Sequence, residues 1–331
     1  MSVTASGNPP LRLRPAVALL LALVTLPSQA QSPPVSAAAG SDARREIARD
    51  LAGSDLTAPY DFFCVPGNAR PNDFSAPPLK PVRLFDNLYA AGNSETVVYA
   101  ITTSAGIVLI DAGMAAEVES VLVPGLVALG LDPADVELVL LGHGHSDHYG
   151  GASYFQSRYG ARVATTEADW ATIGRAATSG RAGDLPVPAR DLVVRDGEPV
   201  ELGDLRIVPV EIPGHTPGAL GFVFPVFDGQ SRHTAGLFGG TVLAAAYTPP
   251  AGLLQYVDSL GRWLDITAEL GVDVEIQNHP IFDDMSARLD ALARRQPGDP
   301  HAFVIGRDGF QRFWRIVSEC MQAELNDTAD R

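Results

Sequence analysis

Positive charge is scarce in this chain of 331 residues, which has 24 Lys and Arg residues against 39 Asp and Glu residues. Its formal net charge is −15 and its isoelectric point is about 4.8. Proteins that bind nucleic acid present basic surfaces to the phosphate backbone, so this balance argues against nucleic acid as a partner. It equally disfavours an anionic membrane surface. With 46% hydrophobic residues, the chain can bury a sizeable core.

Long hydrophobic runs are also lacking near the start of the chain. The apolar stretch 16–26 has 11 residues, which is too short to span a bilayer comfortably. Arg12 and Arg14 precede it, and Ser28-Gln29-Ala30 follows with the small-x-small pattern of a signal-peptide cleavage site. Residues 1–30 therefore predict an export signal, and a periplasmic or secreted protein with no membrane anchor after cleavage. An uncleaved anchor is the alternative.

Cysteine is nearly absent, with two residues, Cys64 and Cys320. An even cysteine count in an exported chain predicts one disulfide. The alternative is two buried, unpaired thiols, because the sequence does not give the Cα separation that a bridge requires. Neither cysteine is close in sequence to the histidine-rich segment described below, so thiolate metal ligands are not expected.

Histidine is concentrated in one place. The chain has seven histidines, and three of them fall in the hexapeptide His143-Gly144-His145-Ser146-Asp147-His148. The apolar run 136–141 before it is typical of a buried strand, and α/β proteins place their chemistry at the carboxyl ends of strands. Imidazole and carboxylate ligands together suit zinc, iron or manganese. The alternative is a polar loop with chance histidines.

The rest of the pattern predicts many short strands interleaved with helices. We predict helices over 42–51, 115–129, 151–158, 167–175, 256–270 and 310–325. We predict strands over 82–85, 88–91, 97–102, 107–110, 136–141, 162–165, 192–194, 199–202, 205–212, 220–227, 237–241 and 272–277. Residues 31–80 predict a linker and an irregular N-terminal extension, and residues 81–331 one domain. Residues 179–188, rich in Gly and Pro, predict a loop near the mouth of the site.

The motif His143-x-His145-x-Asp147-His148 is similar to the metal motif of the metallo-β-lactamase superfamily. Three further segments match that family in the same order. They are Val108-Leu109-Ile110-Asp111-Ala112-Gly113, Pro213-Gly214-His215-Thr216-Pro217-Gly218 and Asn278-His279-Pro280. The four segments cover about residues 80–285. The resemblance implies an α/β fold, the four-layer αβ/βα metallo-β-lactamase sandwich, with two sheets face to face and helices outside.

The resemblance also implies two zinc ions per chain. His143, His145 and His215 would bind the first zinc, and Asp147, His148 and His279 the second. Three protein ligands on each zinc leave a coordination position open, as a catalytic site requires. Asp147 would in addition aim the nucleophile, and it is the predicted catalytic residue.

Three assignments have structural alternatives. His215 could instead cap a Pro-Gly turn, and His279 lies in a short motif of low specificity. Asp111, implied to orient a metal ligand, could instead be a turn aspartate after a strand. His233 and His301 lie outside the matching segments and are assigned no role.

Two departures from the family pattern bear on the substrate. Many members, among them glyoxalase II and the lactonases, carry a bridging aspartate after the third histidine, whereas Gly239-Gly240-Thr241 contains no acid. Its loss resembles the subclass B3 β-lactamases, which have the same six ligands. That subclass usually offers two hydroxyl side chains in this loop to hold the substrate carboxylate. This chain offers Thr241, followed by Val242 and Leu243.

The resemblance therefore implies an exported dinuclear-zinc hydrolase that uses a metal-bound hydroxide on the carbonyl of a small-molecule substrate. B3-like β-lactam hydrolysis is the leading hypothesis. The alternatives are hydrolysis of another ester, lactone or amide on the same fold, or a non-catalytic metal-binding protein. Iron or manganese in place of zinc stays open, because ligand type alone does not choose the metal.

Overall fold

The computed structural model describes residues 40–178, 186–245 and 248–329. The predicted export signal, all but the end of the predicted linker, and most of the predicted loop 179–188 lie outside these residues. The strands of the described part form two sheets, as the alternation of short apolar runs predicts.

Twelve strands are found in the described residues. In chain order they are β1 (Val82–Arg83), β2 (Leu88–Gly92), β3 (Val97–Thr103), β4 (Gly106–Ile110), β5 (Val136–Leu140), β6 (Arg162–Thr165), β7 (Leu192–Val193), β8 (Val200–Leu202), β9 (Leu205–Glu211), β10 (Leu220–Asp228), β11 (Ser231–Phe238) and β12 (Val274–Ile276). The first seven form one sheet in sequence order, antiparallel from β1 to β4 and parallel from β4 to β7. The second sheet has the order β12-β11-β10-β9-β8, with β12 parallel to β11.

The helices of the described part follow or separate these strands. They are α1 (Ser41–Ala52), α2 (Thr57–Cys64), α3 (Val123–Ala128), α4 (Ser146–Tyr149), α5 (Ala152–Tyr159), α6 (Glu167–Thr178), α7 (Pro250–Leu270), α8 (Met285–Arg294) and α9 (Gly306–Ala329). Across the residues that are described, no helix combines the length and the apolar character needed to cross a membrane.

The two sheets pack face to face. Successive side chains of a strand point to opposite faces, and on β3 Tyr99 and Ile101 point into a core that they share with Phe222 and Phe224 of β10. All four side chains are at most 1% exposed. Because both faces of these strands are covered, the strands are apolar along most of their length.

Helices cover the outer faces of both sheets. On the seven-stranded sheet, Val98 and Val139 pack with Phe155 of α5. On the five-stranded sheet, Phe238 packs with Trp263 of α7 and with Trp314 of α9, whose ring stacks on it at 4.7 Å. The order of layers is therefore helix, sheet, sheet, helix, which confirms the predicted αβ/βα sandwich.

Two predicted helices differ from the observed ones. The segment predicted as one helix over 115–129 is a 3₁₀ turn (Ala115–Glu117), a π turn (Val118–Leu122) and then α3. Pro124 explains the break, because it has no N–H to donate to the carbonyl four residues earlier. Helix α7 begins at Pro250, six residues before the predicted start, since proline is favoured at the first helical position.

The N-terminal extension is partly helical, contrary to the prediction of irregular structure from residue 57. Helix α2 gains its stability from packing, because Phe63 stacks edge-on against Phe282 with ring centroids 4.9 Å apart. At its last residue, Cys64 is bonded to Cys320 of α9, with 5.0 Å between the Cα atoms. The predicted disulfide is confirmed.

Candidate metal centre

Three loops bring the six predicted ligands together. The loop after β5 and the short helix α4 carry His143, His145, Asp147 and His148. The loop after β9 carries His215, and the loop after β12 carries His279. Since β5 belongs to the seven-stranded sheet and β9 and β12 to the five-stranded sheet, the ligands meet where the two sheets adjoin.

The first group consists of His143, His145 and His215. Nε2 of His143 lies 3.1 Å from Nδ1 of His145 and 3.1 Å from Nε2 of His215. His143 is fully buried, His215 is half-buried and His145 is exposed. The group therefore has a buried base and opens toward solvent.

The second group consists of Asp147, His148 and His279. Nε2 of His148 lies 2.9 Å from Nε2 of His279 and 3.3 Å from Oδ2 of Asp147. The same oxygen is 3.7 Å from Nε2 of His279. All three side chains are buried, and the group adjoins the first through His143, which has a donor atom within 4.8 Å of those of His148 and His279.

These separations fit a metal ion. Two ligands bound to one zinc at 2.0–2.1 Å in tetrahedral geometry are about 3.3 Å apart. The separations of 2.9–3.7 Å in the second group bracket that value, and those in the first group, both 3.1 Å, lie close to it. Two imidazole nitrogens that face each other at this distance need either a proton or a cation between them. The donor set thus suits a cation that accepts both nitrogen and oxygen ligands.

Hydrogen bonds fix the orientation of three of the imidazole rings. His143 donates from Nδ1 to the carbonyl of Gly239 at 2.6 Å. His148 donates from Nδ1 to Oδ2 of Asp111 at 2.7 Å, and His279 from Nδ1 to the carbonyl of Glu95 at 2.8 Å. In each ring Nδ1 is engaged outside the group, so Nε2 is the nitrogen directed at the group, the arrangement found around metal-binding histidines.

Asp111 orients a ligand, as predicted, and is more than a turn aspartate. It is fully buried with a positive φ of 63°. Its Oδ1 accepts the N–H of Gly142 at 2.7 Å, and its Oδ2 accepts from Asn278 at 2.9 Å as well as from His148. One carboxylate therefore ties the loop after β4 to the loops after β5 and β12.

Asp169 has a similar role that sequence reasoning missed. It is fully buried on α6, where its Oδ2 accepts the N–H of Gly144 at 2.9 Å and the hydroxyl of Thr216 at 2.7 Å. Burial raises the pKa of its carboxyl, although these hydrogen bonds oppose the shift. The sequence did contain a signal for this burial. Asp169 lies four residues before the apolar Ile173 and so falls on the same face of the predicted helix.

Burial and charge set the protonation of the second group. Burial lowers the pKa of His279 to about 4. Burial alone would raise the pKa of Asp147, but the charge of His148 outweighs it and lowers that pKa. Burial alone would lower the pKa of His148, whereas Asp147 and Asp111 raise it to about 10. A cation would therefore find two donors ready and displace a proton from His148.

A family model supports this geometry. Residues 91–226 match the model of the metallo-beta-lactamase superfamily. This stretch is a metallo-β-lactamase superfamily domain. It contains five of the six donors, His143, His145, Asp147, His148 and His215, whereas His279 lies beyond it.

Solved structures share the fold across most of the described chain. One is BJP-1, a subclass B3 metallo-beta-lactamase of Bradyrhizobium japonicum, at 26% identity and a TM-score of 0.62, covering 78% of this chain and 94% of that one. The FEZ-1 metallo-beta-lactamase of Legionella gormanii has 24% identity and a TM-score of 0.65, with 79% and 100% covered. The second likeness shows the fold alone.

Curated relatives match a shorter stretch. A hydroxyacylglutathione hydrolase of Cereibacter sphaeroides is 36% identical over 113 residues, covering 32% of this chain and 39% of that protein. One of Pseudomonas aeruginosa is 34% identical over 111 residues, covering 31% and 37%. The chain thus spans about two fifths of the length of these relatives.

The loop Gly239-Gly240-Thr241, which lacks a bridging acid, also has no room for a larger side chain at Gly240. A Cβ atom at Gly240 would lie 2.5 Å from the Cβ of Ala219, so any side chain there requires a backbone shift. Thr241 is fully buried, and its hydroxyl donates to the carbonyl of Phe238 at 3.3 Å. Neither position offers a carboxylate to the metal groups or a hydroxyl to a substrate.

A cavity of about 920 Å³ opens over the two groups. Its wall is largely apolar, with Phe74, Val242, Leu243 and Pro249 among the lining residues. Arg175 of α6 is the single Lys or Arg side chain among the lining residues in the described ranges. Asn72 of the N-terminal extension lines the cavity beside the second group, and sequence reasoning missed it as well.

Proposed function

We propose that this protein is an exported zinc hydrolase of small carbonyl compounds, with β-lactams as the leading substrate class. The observation that carries the proposal is the donor set: two adjoining groups of three ligands, with no bridging acid at Gly240. That pattern resembles the subclass B3 enzymes, and the chain shares its fold with metallo-beta-lactamases over 94–100% of their length, among them the subclass B3 enzyme BJP-1.

The residues of the site divide the work. His143, His145 and His215 would hold one zinc, and Asp147, His148 and His279 the other. Bound zinc supplies Lewis acidity toward a carbonyl oxygen and lowers the pKa of a water molecule in the site.

Asp147 has a second task in this proposal. Its Oδ2 faces His148 and His279, and we assign Oδ1 to accept a hydrogen bond from the attacking water. The neighbouring histidines lower the pKa of this carboxyl, so it stays ionised and can hold the proton donor in place.

The cavity suits an amphipathic anion. Penicillins, cephalosporins and carbapenems each carry a carboxylate next to the reactive ring. Thr241 is turned away, so we assign the carboxylate to Arg175, an exposed side chain whose Nη2 contacts Thr172 at 3.0 Å. The apolar wall around Phe74 and Leu243 would take the substituents of the ring.

Thioester hydrolysis is the second candidate function. The identity with hydroxyacylglutathione hydrolases over 113 residues favours it. The pattern of glyoxalase II includes a bridging aspartate in this loop. The absence of an acid at Gly240, and of space for one, therefore counts against thioester hydrolysis. The same comparison keeps esters, lactones and other amides in the test.

A substrate panel tests the proposal. Purified protein with added zinc is assayed against a penicillin, a cephalosporin, a carbapenem, a lactone, a glutathione thioester and a phosphoester. We expect turnover of at least one β-lactam and loss of it with a chelator. Turnover of the thioester or lactone alone would replace β-lactams as the substrate class. No turnover of any compound by protein that holds two zinc ions would leave the non-catalytic alternative.

Export is part of the same proposal. The basic and apolar pattern of residues 1–30 supports it, and the disulfide between Cys64 and Cys320 suits an oxidising compartment. We expect N-terminal sequencing of periplasmic or secreted protein to start near Gln31. A cytoplasmic protein that still begins at Met1 would contradict export.

A further inference from the structure

The N-terminal extension reaches the second metal group. Residues 66–80, here called the extension wall, form one side of the cavity through Pro71, Asn72 and Phe74. The side-chain Nδ2 of Asn72 lies 3.2 Å from Oδ2 of Asp147 and 2.9 Å from Nδ1 of His279. Asn72, which lies 75 positions before Asp147, thus contacts two of the three residues of the second group, Asp147 and His279.

The direction of the Asn72 hydrogen bond follows from its surroundings. Nδ1 of His279 already donates to the carbonyl of Glu95 at 2.8 Å, so it has no lone pair to offer Asn72. An amide N–H can only donate, and Oδ2 of Asp147 lies 3.2 Å from it as a carboxylate oxygen that accepts. The amide of Asn72 therefore donates an N–H to Oδ2 of Asp147, the oxygen that faces His148 and His279, and its nitrogen also lies 3.3 Å from Nε2 of His279.

Glu95 fixes the extension wall and the second group together. Its carboxylate accepts two hydrogen bonds from Arg70, at 2.5 and 2.9 Å, and one from the backbone N–H of Asp73 at 2.6 Å. Its carbonyl holds His279. These contacts flank Asn72 on both sides in sequence, so they anchor the backbone that carries its amide.

We propose that Asn72 is a positioning residue for Asp147, which sets the affinity of the second group for its metal and the aim of the carboxylate during turnover. This inference rests on the proposed function. Hydrogen-bond partners of metal ligands typically contribute 10- to 100-fold to metal affinity or activity. The Asn72 amide is the partner for Asp147, as Asp111 is for His148 and the Glu95 carbonyl for His279.

The test compares two variants with a matched control. Asn72→Leu keeps the size of the side chain but cannot donate, and Asn72→Ala also opens the wall. Asn68→Ala is the control, because Asn68 is exposed in the same extension and donates to the carbonyl of Asp61. Each zinc-loaded full-length protein is dialysed against graded chelator, and bound zinc is measured by elemental analysis.

We expect both Asn72 variants to lose one zinc at about 10- to 100-fold weaker affinity while the other zinc is retained. On a substrate that the wild type hydrolyses, kcat should fall and KM should stay within about twofold, since the donor contacts Asp147 rather than the substrate. The Asn68→Ala protein should match the wild type in every measurement.

Two results would overturn the inference. In the first, Asn72→Leu has the zinc affinity and kcat of the wild type, and Asn72→Ala alone is impaired. The side chain would then only fill space in the cavity wall, and its hydrogen bond to Asp147 would have no role. Equal weakening of both zinc ions would mean a general loss of structure. The wild type is measured first: fewer than two zinc ions bound there would refute the proposed function, and the role of Asn72 with it.

Discussion

The two ligand groups are built differently although they share one cavity. In the second group, every donor is buried, and His148 and His279 are held by Asp111 and the Glu95 carbonyl. In the first group, His143 is held by the Gly239 carbonyl, while His145 is exposed and His215 half-buried at the cavity wall. The second group is therefore held more firmly and the first is more exposed, although both line the cavity.

Replacing a metal ligand should give the largest change in kcat and in metal content. Asp147→Asn keeps the size of the side chain and removes its charge, so we expect kcat to fall about 100-fold or more with the first-group metal retained. His143→Ala should instead empty the first group. Steady-state kinetics and elemental analysis measure both. Normal turnover by Asp147→Asn with two metals bound would show that the assigned role of Asp147 is wrong.

Replacing the support of the second group should have a smaller effect. Asp111→Asn removes the charged acceptor of His148, and we expect zinc to bind the second group about 10- to 100-fold more weakly. Asp132→Asn is the matched control, because Asp132 caps an exposed turn by accepting the N–H of Ala134. Chelator competition measures the affinity. An Asp111→Asn protein as tight as the control would remove the proposed difference between the groups.

The corresponding change behind the first group is Asp169→Asn. This carboxylate joins the loop of His143 and His145 to the loop of His215 through Gly144 and Thr216. It touches no ligand ring, so we expect about a tenfold loss of affinity at the first group, the low end for such partners. The second group should be unchanged. Equal loss at both groups, in the same chelator titration, would contradict a role confined to the first.

A change far from both groups should lower the stability of the fold without changing metal binding by either group. Replacing both Cys64 and Cys320 by serine opens a bridge across 256 residues, and we expect unfolding stability to fall by about 2–5 kcal/mol. Zinc content should stay at two per chain. Denaturant unfolding and elemental analysis measure the two outcomes. Thiol titration of the exported wild type that found two free thiols would instead disprove the bridge.

Most of the ligands could be predicted because they lie close together in the sequence. His143, His145, Asp147 and His148 lie within six residues, and a strand before them explains where they point. Asn72 and Asp169 could not be predicted in this way. Their partners lie 75 and 25 residues away, and neither residue belongs to a motif. Only the packed chain shows that an asparagine in an irregular segment meets Asp147.

The same distinction holds for the fold. Short apolar runs predicted the strands, since a strand that is covered on both faces is apolar along most of its length. Helix α2 was missed because its stability comes from Phe282 and from α9, which are distant in sequence. The buried orientation of Thr241 also depends on distant residues, because its hydroxyl lies beside Gln277 of the neighbouring strand end, at 3.4 Å.

The origin of the ligands on two sheets has a mechanical consequence. Each group takes two ligands from the loop after β5 and one from the five-stranded sheet, His215 or His279. A cation in either group would thus be a cross-link between the halves of the sandwich at their open edge. Metal that binds only the folded chain adds about 2.7 kcal/mol of stability at a hundredfold excess over its dissociation constant. Loss of such a cation would therefore weaken the contact between the two sheets as well as empty the site.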